Sequence, residues 1–223
     1  MKAVCFRFFH SSTVRVFFLL FAAISCLALI SGFVSPGELF VQTLGDLGPP
    51  ALGLSIFSAV YLGPEFRRRT FQNQIAHGEH RITLLGSHFL LLILVFLILV
   101  YINAGLPTLL WTIQCGGIGE SYQAEYLMRL CVPAVLLTAA RGVYLFVFPF
   151  LFRDSVKTLL VSVVYSLLVP VLTQSDRKTF PYIFYSSESF PFWTSFVIGF
   201  LSIGVLVLAF NLLALYFRRI SLK

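Results

Sequence analysis

Residues 83–104 read TLLGSHFLLLILVFLILVYINA, and from Phe89 to Val100 every residue is apolar. Crossing about 30 Å of hydrocarbon takes about 20 mostly apolar residues in a helix. With 3.6 residues per turn, this run leaves no polar face to turn toward water. The stretch therefore reads as a transmembrane helix.

Working outward, five more stretches qualify, near residues 15–34, 47–63, 127–150, 155–174 and 191–217. The one at 47–63 is the shortest and least hydrophobic, with Pro49, Pro50 and Gly53 near its start. Composition points the same way. Of 223 residues 58% are hydrophobic and 11% charged, and the mean hydropathy is +0.92. A soluble domain keeps about a quarter of its residues charged. The expected fold is all-α: one polytopic membrane domain over residues 1–223, with six transmembrane helices and membrane lipid as its main surroundings.

A net charge of +7 in a soluble protein would suggest nucleic acid. Here its distribution speaks to orientation, and no nucleic-acid partner is expected. With the N-terminus inside, the cytoplasmic segments hold Lys2, Arg7, Arg15, Arg67, Arg68, Arg69, Arg81, Arg153, Lys157, Arg218, Arg219 and Lys223. The outer segments hold Arg177 and Lys178, with Arg129 close to the start of the fourth span. Glu38, Asp46, Glu120, Glu125, Asp176 and Glu188 also fall outside. Short cytoplasmic loops carry excess Lys and Arg, so both termini are expected in the cytoplasm.

The basic, apolar start resembles a signal peptide, but Val16–Val34 is long enough to span and no small-x-small cleavage site stands out after it. Residues 1–13 either lie on the inner leaflet, with Phe6, Phe8 and Phe9 beside basic groups, or form a frayed tail. Cys5, Cys26, Cys115 and Cys131 are scattered, so no disulfide or metal spacing is implied. The outer stretch 35–46 reads as a short loop. Residues 105–126 form a semi-apolar outer segment with Trp111 and Tyr122, and 175–190 an aromatic one. A tight inner turn is expected at Arg153-Asp154.

No GxxxxGK[ST] loop is present, so the chain holds no Walker-type nucleotide site. No HExxH occurs either. His77, Glu79 and His80 in AHGEHR lack a third and fourth ligand, and Gly78 favours a solvated turn over a metal site. None of the six spans as drawn contains Asp or Glu, and His88 is the sole histidine within one. An intramembrane enzyme has little to work with, and no catalytic, cofactor or metal residues are assigned. Arg141 is the one charge well inside a span. Burying a guanidinium there is costly, so it must face protein, line a substrate path, or snorkel along its helix.

The inner segment PEFRRRTFQNQIAHGEHR, residues 64–81, is the longest cytoplasmic stretch. Pro64 sits where a helix starts and Gly78 where one stops. In the turns between them Phe71 and Ile75 share one face, Arg69 and Asn73 the other. This predicts a short two-sided helix suited to a contact made and remade. The alternative is a basic anchor whose arginines only set the topology.

The loop resembles the one between spans two and three of ABC type-2 permeases, especially small permeases of bacterial peptide and bacteriocin export or self-immunity systems. The matching residues are Glu65-Phe66, Thr70, Asn73-Gln74-Ile75, Gly78 and Arg81; Arg69 stands where members usually carry Gly. Chain length, six spans and an aromatic outer segment before the last span also fit. The resemblance implies a coupling helix, with Phe71 and Ile75 as apolar knobs, docking on a separate ATP-binding subunit. ATP and Mg would sit on that partner, with no cofactor in this chain. A second permease chain, identical or a sister, would complete the substrate path in the bacterial cytoplasmic membrane. The rival expectation is a membrane immunity or scaffold protein that transports nothing.

Overall fold

The computed structural model describes residues 11–27, 36–45, 48–67, 70–76, 80–115, 135–136, 139–140, 142–173 and 192–219. All regular structure among them is helical: α1 Ser12–Ser25, α2 Pro36–Gly45, α3 Gly48–Arg67, α4 Thr70–Ala76, α5 Arg81–Cys115, α6 Val143–Phe152, α7 Ser155–Thr173 and α8 Phe192–Arg219. Among the described residues, two helices are long and apolar enough to cross a membrane. They are α5, whose most apolar 18-residue window within Arg81–Gln114 has a mean hydropathy of 2.8, and α8, with 2.3 over Phe200–Phe217.

The apolar run at 83–104 is the hub. α5 packs against α1, α2, α3, α6 and α8, and Leu85, Leu92, Val95, Phe96 and Leu99 along it are fully buried. Aromatic rings fill the gaps between helices. Phe146 of α6 meets Phe96 of α5 nearly edge-on, with ring centres 5.5 Å apart. Phe89 of α5 packs against Phe146 and against Phe210 of α8. Such pairs add to plain area burial, so much of the described phenylalanine is packing material.

Several boundaries differ from the sequence expectation. The helix at 83–104 continues to Cys115, and its 35 residues span about 52 Å at about 1.5 Å per residue. It runs through Pro107, which removes only the bond to the Asn103 carbonyl. The stretch 35–46, read as a loop, contains α2. Leu39 and Leu44 of α2 are fully buried, and the Asn103 side chain donates to the Thr43 carbonyl at 3.2 Å. That bond satisfies one of the carbonyls left open in the last turn of α2. Pro64 lies inside α3 rather than starting the next helix. Apolar packing carries α3 one turn past 47–63, and a helix tolerates one lost bond near its end.

Elsewhere the agreement is closer. α7 and α8 match the stretches expected at 155–174 and 191–217. α1 covers only the first part of 15–34, and 28–35 lie outside the described residues. Of 127–150 the structure describes α6 and two short helical pieces; 127–134 lie outside the described residues. The turn at Arg153-Asp154 is as expected. Arg153 closes α6 with φ 53° and its N–H bonded to the Pro149 carbonyl. Asp154 then caps α7, its Oδ1 accepting the Val156 N–H at 2.8 Å.

The low hydropathy of α3 has a packing cause. Ala51, Ser55, Ala59 and Gly63 recur every fourth residue, and all four are buried. Such small residues let backbones approach closely, and α7 is the helix that α3 contacts most extensively. Its Ser155, Thr158 and Ser162 share one face, the last two buried. A Cβ added at Gly63 would lie 2.6 Å from the Ser155 Cβ and 3.0 Å from its Cα. Ser55 and Ser58 bond back to carbonyls of their own helix. Thus polar-looking residues in α3 serve close packing.

This seam makes a paired prediction for thermal unfolding of the purified chain. Gly63→Ala must separate two backbones and should cost about 1–3 kcal/mol, as overpacking does. Gly105→Ala meets nothing within 4 Å and should leave the midpoint unchanged or raise it. Equal effects would contradict the close seam.

Candidate functional site

Most of the sequence-nominated residues lie where α3, α4 and α5 meet. α3 ends at Arg67, α4 begins at Thr70, and α5 begins at Arg81. The one-turn extension of α3 past the expected end brings Glu65 inside the helical bundle, 12% exposed, opposite a His88 that is 0% exposed. Their contact, His88 Nε2 to Glu65 Oε2, is 2.7 Å. His88 Nδ1 lies 2.9 Å from the Leu84 carbonyl, which can only accept, so Nδ1 carries a proton. Nε2 then either donates to a carboxylate or accepts from a carboxylic acid. The pair is neutral overall in both arrangements, so it can be buried without an uncompensated charge. Charge-assisted bonds of this length are among the stronger ones.

An aromatic chain continues from the next residue. Phe66 meets Phe150 of α6 edge-on at 6.2 Å, Phe150 meets Phe217 of α8 at 6.3 Å, and the Arg153 guanidinium carbon lies 5.2 Å over the Phe217 ring. A guanidinium over a ring face is attracted by the ring quadrupole. The α4 end of the bundle is thereby tied across α3, α5, α6 and α8.

The nominated residues divide in two. Glu65, Phe66 and Ile75 turn toward the bundle; Ile75 is half-buried and packs against the main hydrophobic core. Asn73 and Ala76 of α4 are exposed, as is Arg81 at the start of α5. Thr70 and Phe71 belong to α4, and their side chains are outside the described set. Gly78 and Arg141 lie outside the described residues, as do His77 and Glu79. Among the described residues no three His, Cys, Asp or Glu side chains gather as metal ligands.

Sequence reasoning missed His88 as a partner, because the span was drawn to end before Glu65. The available signal was a lone histidine one turn inside one helix and a lone carboxylate just past the end of its neighbour. A second feature also went unseen. A cleft of about 330 Å³ opens between α1 and α3, walled by Val14, Phe17, Leu20, Phe57, Val60 and Tyr61, with Ser11 and Thr13 at one end. Comparison of the chain with protein-family models, with curated proteins and with solved structures found no match.

A double-mutant cycle tests the buried pair. Glu65→Leu or His88→Leu alone leaves a polar group facing an apolar side chain, and each should cost about 3 kcal/mol in unfolding free energy. The double variant should lie within about 1 kcal/mol of the better single variant, because neither polar group is then stranded. Additive losses would show that the two side chains act independently.

Proposed function

We propose that this chain is the membrane-spanning permease subunit of an ATP-driven ABC exporter. In this reading six helices cross the bacterial cytoplasmic membrane with both ends inside, α4 facing the cytoplasm. Two such chains line the path, and ATP and Mg bind to a separate subunit. The observation that carries the reading is a short, separate helix between two long ones, set on the bundle by Ile75 and following an α3 end that is tied to α5 by Glu65–His88 and to α6 by Phe66–Phe150. The loop's resemblance to the ABC type-2 permeases supplies the partner.

Mechanistically, a push on a floppy loop is absorbed by the loop. A push on α4 passes along the chain to the end of α3, and from there to α5 through Glu65–His88 and to α6 through Phe66–Phe150. The bundle then moves as one body. ATP drives the cycle only by binding one arrangement of the pair better than the other. The contact surface for the ATPase is the exposed side of α4, Asn73 and Ala76, with Arg81 beside it, while Ile75 serves as an inward anchor. Arg141 in this reading lines or braces the path. The apolar, aromatic-walled cleft between α1 and α3 suits an amphipathic peptide or lipid chain entering from the inner leaflet.

Two variant sets test this. Asn73→Trp with Ala76→Glu alters only exposed positions and should cut capture of the ATP-binding subunit from host membranes at least tenfold, read by mass spectrometry, with unchanged insertion. Ile75→Asp should instead lower the melting temperature, since an unpaired charge placed against the core costs a few kcal/mol. Capture of no Walker-loop protein by the unaltered chain would favour a non-transporting scaffold, and full capture by the Asn73/Ala76 variant would overturn α4 as the docking surface.

A further inference from the structure

α8 turns most of its surface away from the protein. Among its described side chains Ser202, Leu206, Leu213 and Phe217 are buried, and they fall on one side of the helix. On the opposite side, spaced three or four apart, run Val197, Phe200, Gly204, Val207/Leu208, Asn211 and Leu215, all exposed. Phe200 is 73% exposed and Leu208 61%. Lipid covers such a stripe adequately except at one position.

That position is Asn211. Its Nδ2 donates to the Val207 carbonyl of its own helix at 2.9 Å, which uses one of two donor hydrogens. The second hydrogen and the carbonyl oxygen, with two lone pairs, point outward from an exposed side chain. Asn211 lies eight residues before Arg219, about 12 Å along the helix. Given the membrane reading, on which this inference rests, that depth is inside the hydrocarbon, where no water is at hand to satisfy it. Two helical turns earlier on the same stripe is Gly204, where an added Cβ would meet nothing within 4 Å. A second helix can therefore come close to the backbone at this point, as helix pairs do at small residues.

We propose that this stripe of α8 is the seam on which a second copy of this chain docks. A carboxamide is self-complementary, donor and acceptor together. In a two-fold pair the same residue is presented from both sides, so two Asn211 side chains can satisfy each other across the axis. Gly204 sets how near the helices pass, and Phe200, Val207 and Leu208 fill the flanks. Lipid alone leaves the carboxamide unsatisfied, and a partner of different sequence would have to supply a matching polar group. The copy brings it by symmetry.

The test uses the full-length chain, alone in lipid nanodiscs or proteoliposomes, with its four cysteines replaced and single cysteines placed along α8. Disulfide crosslinking between copies should peak at 204, 208, 211 and 215 and fall to background at 206 and 213, the core-facing positions. With the reporter cysteine at 208, Asn211→Leu should lower the crosslinked fraction about three- to tenfold, the range for an interhelical hydrogen bond. Asn211→Gln should keep most of it. No crosslinking above a dilution control, or a maximum on another helix such as α5, would overturn the proposal. The positional pattern needs no Asn211 variant, so it decides the matter even if Asn211→Leu inserts poorly. Because no ATPase is present, a negative result here leaves the coupling role of α4 untouched, and failed ATPase capture leaves the seam untouched.

Discussion

The bond between His88 and Glu65, 2.7 Å long, is the contact on which the α4 end of the protein depends. It is a polar link between the last turn of α3 and the second turn of α5. The seven-residue helix α4 hangs between those two points, too short to hold its shape unaided. Ile75 reaching the core and Phe66 lying on Phe150 complete the attachment. From Phe150 the aromatic contacts run on to Phe217 and Arg153. Releasing the pair would remove this buried polar contact from both helices at once, leaving the apolar contacts of Phe66 and Ile75 to hold the end.

Away from that end, side-chain size governs the arrangement. α5 offers large apolar residues on every side, which suits a hub. α3 offers a row of small ones, which suits a close neighbour, and α7 supplies it at Gly63 and Ser155. Serines that depress the hydropathy of α3 are satisfied within their own helix. α8 occupies the rim, with 28% of its apolar window buried against 50% for α5. The rim is where an apolar solvent or another chain must take over.

The helical class and the course of α5, α7 and α8 were legible because long apolar runs carry their own evidence. Boundaries were not. Pro64 and Pro107 look like punctuation, yet each removes one backbone bond and the surrounding packing outweighs it. The stretch 35–46 carries Pro36, Gly37 and Gly45, all poor helix formers, and what makes α2 a helix is tertiary: burial of Leu39 and Leu44 and the bond from Asn103. The site was legible as a place, the segment 64–81, more than as an arrangement. Phe71 and Ile75 share a helix face in any helical reading, but which way that face turns depends on α3 and α5. Ile75 turns inward, where a free-standing reading of α4 had it facing a partner. His88 was visible as an oddity and became meaningful only once α3 was seen to reach Glu65.

Every functional step above rests on cytoplasm around α4, lipid around α5 and α8, and the opposite compartment at the far end of α5. Single cysteines at 73 and 113, in a chain freed of its own four, test this directly with a membrane-impermeant thiol reagent. In sealed right-side-out vesicles position 113 should react and position 73 should not, and inverted vesicles should exchange the two. Labelling of position 73 from the outside, or of both positions from one side, would contradict that arrangement.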